Sequence, residues 1–195
     1  MRCIVGLLVF FSLSPCAATG QVVPIADQIG SAVLAAPGAS RADATVLGFN
    51  ASGDMVTLRA GTNGLICLAD DPEAPGFGVA CYHEDMDPYM ARGRELRAEG
   101  KERQEVAEIR TDEVEASTLP FPMRPTTLYV LTGEAGSYDP NAGTVKNPYL
   151  RFVIYVPYAT GESTGLPTLP VEPGEPWLMA EGEHNAHIMI SPPRE

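Results

Sequence analysis

Hydrophobic positions along this chain change period several times, and each change marks an element. Residues 22–37 read VVPIADQIGSAVLAAP, with Ile25, Ala26, Ile29, Ala32, Val33 and Ala36 apolar. That i, i+1, i+4, i+7, i+8, i+11 spacing predicts one face of an amphipathic helix, stopped by Pro37-Gly38. Two short β-rich runs follow, ATVLGFN (44–50) and DMVTLRAG (54–61), with ASG between them as a hairpin turn. LICLA (65–69) and VACY (79–82) are candidate buried strand pieces at the ends of a loop rich in Pro and Gly. TTLYVLTG (126–133) and LRFVIYVPY (150–158) are the strongest strand patterns. In the second, Leu150, Phe152, Ile154 and Val156 alternate with Arg151, Val153 and Tyr155. Both faces are largely apolar, which predicts a central strand. PWLMA (176–180) and AHIMIS (186–191) read as short closing strands after a Pro-rich loop at 163–176.

Between the two halves, residues 87–117 mix acid and base at helical spacing. Asp87 is placed to cap a helix and Pro88 fits its first position. Arg92, Arg94, Arg97, Lys101, Arg103 and Arg110 interleave with Glu95, Glu99, Glu102, Glu105 and Glu108. Such a pattern is a solvated face with i,i+3 and i,i+4 pairs, or else an anion-binding patch. Gly93 and Gly100 either permit close packing, or Gly100 breaks the helix in two. With no internal repeat and no linker, the order predicts a single α+β domain over residues 21–195: a mostly antiparallel sheet, about two helices and many loops.

The first residues change the picture of where the protein works. MRCIVGLLVFFSLSPCAATGQ has a basic start at Arg2, an apolar run from Cys3 to Leu13, and then Pro15 and small residues. This is the layout of a secretory signal peptide over residues 1–20, with cleavage after Ala18 or Gly20. The apolar run is too short to anchor the chain in a bilayer, and no later segment is long and apolar enough to do so. The expected location is periplasmic or extracellular. A lipid anchor through Cys16 is the alternative, since LSPC places that cysteine near a lipidation position. Removing the leader leaves Cys67 and Cys81. A pair in an exported chain is most simply a disulfide; a metal-binding or catalytic cysteine is the other reading.

Charge narrows the partners. The 195 residues carry a formal net charge of -12. Nucleic acid is excluded as a partner, because binding it means neutralising phosphates with clustered Lys and Arg. Anionic membrane surfaces are disfavoured for the same reason.

Candidate chemistry is sparse. GESTG (161–165) matches the nucleophile-elbow pattern G-x-S-x-G, but the prolines that follow in LPTLPVEPGEP forbid the helix this motif needs. It is expected to be a surface loop. DPNAG, from Asp139, opens like a calcium loop, yet the twelfth position is Leu150 in a strand, so a turn is expected. The histidines hold more interest. His83 follows the second cysteine closely, and His184 and His187 sit near the C-terminus among Glu181 and Glu183. If these regions met, two or three imidazoles and a carboxylate would bind zinc and activate a water for hydrolysis. His187 is expected on the last strand with Met189 on the same face, and His184 in the turn before it. Buried structural histidines are the other reading. Trp177 either lines an apolar pocket or anchors the core.

LRAGTNGLICLADDPEAP…CYHEDM, YVLTGEAGSYDPNAG and the closing HIMISPP together resemble a family of uncharacterised exported bacterial proteins. The shared pattern is "LR-G-TNG--CL-D-P", a second cysteine, a DP turn and a terminal "H-MI" strand. The matching positions are Leu58, Arg59, Gly61, Thr62, Asn63, Gly64, Cys67, Leu68, Asp70, Pro72, Cys81, Asp139, Pro140, His187, Met189 and Ile190. The resemblance implies export and one integral domain, adds no reaction, and moves attention from His184 to His187. Arg59 and Asn63 thereby join His83, His187 and Trp177 as candidate ligand-binding residues. The expectation is an exported, non-catalytic protein that binds a small molecule or an envelope partner, without a cofactor. A zinc-dependent hydrolase using His83, His187 and His184, or a structural envelope component, are the alternatives.

Overall fold

The computed structural model describes residues 23–193. The leader read from residues 1–20, with Cys3 and Cys16, lies outside them. Among the described residues ten strands form: β1 (Thr45–Phe49), β2 (Met55–Arg59), β3 (Leu65–Leu68), β4 (Phe77–His83), β5 (Thr126–Gly133), β6 (Tyr138–Asp139), β7 (Thr144–Val145), β8 (Tyr149–Tyr155), β9 (Trp177–Met179) and β10 (His187–Ile190). Eight make one sheet in the order β2-β1-β3-β4-β5-β8-β10-β9, and β6-β7 is a separate hairpin. Only the β1–β3 pair is parallel, so the sheet is mostly antiparallel as the pattern predicted. β8 sits between β5 and β10, as its two apolar faces required.

One face of the sheet is covered by helix α1 (Ile25–Ala32) and the 3-10 turn Val33–Ala35. Ala32, Ala35 and Ala36 pack with Val46, Val79, Leu131 and the two cysteines. Cys67 and Cys81 face each other across β3 and β4 and form the expected disulfide. Small alanines let the helix approach the strands directly above the sulfurs. The buried helix face is shifted from the predicted one. Gln28 and Ser31 are buried while Ile25 is exposed. Gln28 accounts for the shift, because its amide both donates to Phe49 O (3.0 Å) and accepts from Phe49 N (2.8 Å) at the end of β1.

The chain between β2 and β3 is a knot of backbone contacts. Arg59 donates to the carbonyls of Arg41 and Ala44. A side chain at Gly61 would lie closer than 3.0 Å to backbone atoms of Asp43, Ala44 and Thr45, so only glycine fits. Asn63 donates to Ser40 O (2.8 Å) and accepts from Leu65 N (3.1 Å). Gly64 has φ of 71°.

The opposite face is covered by a helix pair, α2 (Asp87–Ala98) and α3 (Arg103–Glu115). The predicted long helix is broken at Gly100, whose φ of 83° ends α2. Asp87 is not the cap; it lies inside the first turn, and Met86 occupies the cap position. Its carboxylate instead accepts from buried Tyr82 (2.8 Å) and from Arg94 (3.1 Å), tying the helix to β4. The interleaved charges form ion pairs, chiefly Arg92–Glu113 between the helices (2.8 Å) and Lys101–Glu105 from the inter-helix turn to the first turn of α3. Gly93 allows close packing of the pair, since a Cβ there would meet the Arg110 guanidinium at 2.9 Å. Tyr82, Met86, Tyr89, Leu119, Val153 and Tyr155 form the core on this side.

GESTG is a single helical turn, α4 (Gly161–Thr164), where a loop was expected. Thr160 and Ser163 form a reciprocal capping box, which occupies the serine hydroxyl. DPNAG is the expected turn, with Asp139 accepting from Asn141 N (2.9 Å). Among the described residues no helix is long and apolar enough to cross a membrane.

The disulfide closes a loop of fourteen residues' separation. Replacing both cysteines by serine is expected to cost roughly 3 kcal/mol. Urea denaturation of the oxidised protein and of the double variant measures this. Two freely alkylated thiols in the oxidised, folded protein would remove the staple from the account.

Candidate functional site

The sheet does not bring His83 and His187 together. β4 and β10 are separated by β5 and β8, about 14 Å laterally at ~4.8 Å per strand. The two also project from opposite faces. His83 follows Cys81, Val79 and Phe77 on the α1 side. His187 shares its side with Met189, Val153 and Tyr155 under the α2–α3 pair. His83 instead closes the end of β4. Its Nδ1 accepts from Asp85 N (3.2 Å), capping the 3-10 turn Glu84–Met86. Asp85 in turn pairs with Arg124.

His184 and His187 do share a neighbourhood, with aromatic rings between them. His184 packs edge-on against Phe121 (5.1 Å) and Tyr89 (6.0 Å). Phe121 meets Tyr155 (5.7 Å), and Tyr155 meets His187 (5.3 Å). The Arg110 guanidinium lies 3.9 Å over the Tyr89 ring. His187 Nδ1 contacts Asn185 O (2.8 Å). Burial pushes both imidazoles below the ordinary 6.5; near His184, Glu183 and Glu115 oppose that shift and Arg110 reinforces it. Burial raises the Tyr155 hydroxyl to about 12. Among the described residues no group of three His, Cys, Asp or Glu side chains is placed to hold a metal ion. This cluster is a packed wedge between sheet and helices.

Arg59 and Asn63 spend their polar groups on the β2–β3 knot described above, so the block carrying them has a structural explanation. Trp177 is different. It is half-buried at the start of edge strand β9, and lines a cleft of about 700 Å³ with Tyr149, Val171, Glu172, Glu175 and the prolines around them. A second cleft of about 690 Å³ lies beside it, lined by Thr132, Glu134, Asn147, Pro148, Tyr149 and Pro193. Tyr149 and Pro193 belong to both. Val171, in the lining of the Trp177 cleft, is 64% exposed, and Leu169 and Met179 on the neighbouring loop and strand are exposed too. Leu178 N donates to Pro167 O (2.8 Å), so the Pro-rich loop already covers part of the β9 edge. Sequence reasoning missed Tyr149 and the Glu172–Glu175 wall. The signal available was the Pro-rich run flanking the single tryptophan.

The fold and this cleft define an α+β domain with a disulfide-stapled half and an open aromatic groove at the other end. Comparison with protein-family models, with curated proteins and with solved structures gave no match.

The buried imidazoles give a pH prediction. Their folded pKa values are depressed, so the stability they permit is complete above about 6.5 and is lost as the pH falls from there toward the folded values. Urea denaturation at pH 7.5 and 5.0 is expected to show the loss, and His184→Leu to show a smaller one. An unchanged pH dependence in that variant would sink the assignment.

Proposed function

We propose that this is an exported, non-catalytic binding protein, and that the groove holding Trp177 and Tyr149 is its ligand surface. The observation that carries the reading is the pair of adjoining clefts, each near 700 Å³, that share Tyr149 and Pro193 and include Trp177 and exposed Val171. Clefts of this size lined by aromatic and apolar groups with a few polar ones are the usual form of binding sites. Export is supported by the leader pattern in the sequence and by the buried disulfide, a bond that persists in oxidising compartments. The histidines supply packing and turn closure.

Trp177 is the single tryptophan of the chain, so its emission reports on this groove alone. A ligand found by screening small molecules and peptides against that emission is expected to bind about 30-fold more weakly to Trp177→Ala, the size of a binding hot spot. Calorimetry on His83→Ala and His187→Ala should show unchanged affinity. Binding that survives in Trp177→Ala would move the site elsewhere. Protein purified without an affinity tag is expected to keep its Tm in EDTA. Stoichiometric zinc that disappears in His184→Ala or His187→Ala would replace this reading with the hydrolase.

A further inference from the structure

Asn63 and Gly64 help to hold the turn from β2 to β3, and the same geometry sets up a reaction between them. Asn63 is exposed. Its Oδ1 accepts from Leu65 N (3.1 Å), two residues on, and its Nδ2 donates to Ser40 O (2.8 Å). An Asx turn of this kind folds the side-chain amide back over the next peptide, here the N–H of Gly64. That N–H has no hydrogen-bond partner among the described residues. Glu84 stands opposite. Its N donates to Gly64 O (2.8 Å), and a Cβ on Gly64 would lie 3.2 Å from Glu84 Oε1. The carboxylate thus takes the place of the side chain that glycine lacks, close enough to receive the Gly64 proton directly or through one water. It has no ion-pair partner among the described residues.

The parts of an acyl transfer are together here. Gly64 N is the nucleophile and Asn63 Cγ the electrophile. Leu65 N–H donates to the oxygen that gains charge, and Glu84 accepts the proton. Asn63 is also the one asparagine of the chain followed by glycine. Asn50, Asn141 and Asn185 precede alanine, whose methyl crowds the approach, and Asn147 precedes Pro148, which has no N–H. Asn50 is the nearest comparison, since its Oδ1 also accepts from the second residue on, Ser52 N (2.8 Å).

We infer that Asn63–Gly64 is a self-modifying site, at which the folded chain converts its own asparagine to aspartate and isoaspartate. As the Gly64 proton passes to Glu84, a bond forms between Gly64 N and Asn63 Cγ, and Oδ1 takes the negative charge beside Leu65 N–H. The Cγ–Nδ2 bond then breaks, and the nitrogen leaves as ammonia with the proton from Glu84. Water opens the resulting five-membered succinimide. Cleavage between Gly64 N and Cγ gives aspartate; cleavage between Gly64 N and the main-chain carbonyl carbon gives isoaspartate. The balance is one water in and one ammonia out. An ordinary hydrogen bond such as that to Ser40 O slows departure of the nitrogen about fivefold; the glycine, the turn and the carboxylate act the other way. Either product loses the donor to Ser40, and isoaspartate adds a methylene to the backbone between β2 and β3. The knot therefore loosens as the chain ages.

The test incubates the oxidised full chain at mildly alkaline pH and maps its peptides over time by mass spectrometry. A gain of about 1 Da at Asn63, at least about tenfold faster than at Asn50, is expected, with aspartate and isoaspartate forms resolved. Glu84→Gln, a change on an exposed side chain, should slow it at least about threefold. The modified fraction, separated by anion exchange on its added charge, should melt below the parent. Asn63 that stays intact in the folded chain overturns the inference. So does an unchanged rate in Glu84→Gln, which would leave only the chemistry of the bare dipeptide. A modified fraction with the parent's Tm overturns the loosening of the knot.

Discussion

The pairing of β3 with β4 is the constraint on which the rest of the structure depends. Cys67 and Cys81 face each other in that pair and are fully buried. Their link fixes the register of two strands otherwise joined by a loop rich in proline and glycine. β1 then joins β3 in parallel and β5 joins β4 antiparallel, so the sheet grows outward from the stapled pair. Above the sulfurs, only small side chains fit, and α1 supplies Ala32, Ala35 and Ala36. Below, Tyr82 of the same strand anchors the helix pair through Asp87 and Arg94.

That arrangement divides the sheet into two unlike halves. The stapled half is covered on both faces, by alanines on one side and by the α2–α3 pair on the other. The aromatic wedge of Tyr89, Phe121, Tyr155 and His184 fills the helix side toward β10. Past the wedge, the ends of β5, β8 and β10 and the start of β9 carry Thr132, Tyr149, Pro193 and Trp177 into open clefts. One end is thus packed on both faces, and the other carries half-buried aromatic rings in open clefts.

Much of the fold is legible in the sequence because it follows from local periodicity. β8 alternates with two apolar faces and is central; Gly100 interrupts a helical pattern and splits it; Cys67 and Cys81 pair with each other. Burial of α1 is read less well. Its apolar positions point to Ile25 and Ala26, but the tertiary demand of Phe49 for a partner turns Gln28 inward instead. Arg59 and Asn63 look like ligand groups in a short motif. Their carbonyl partners at Arg41, Ala44 and Ser40 lie far enough back in the chain that no local pattern reveals them.

By itself, then, the sequence determines the elements, the α+β class and the cysteine pair, because these depend on side-chain spacing along one segment or on the count of a residue type. Only the tertiary structure decides which chemistry meets. The order β4-β5-β8-β10 and the alternation of faces keep His83 from His187, whatever their spacing in the chain. The same sheet order carries Tyr149, Pro193 and Trp177, from three separate segments, into adjoining clefts. Contacts between distant segments follow from strand order and pleat, and neither is written in the local pattern of any one strand.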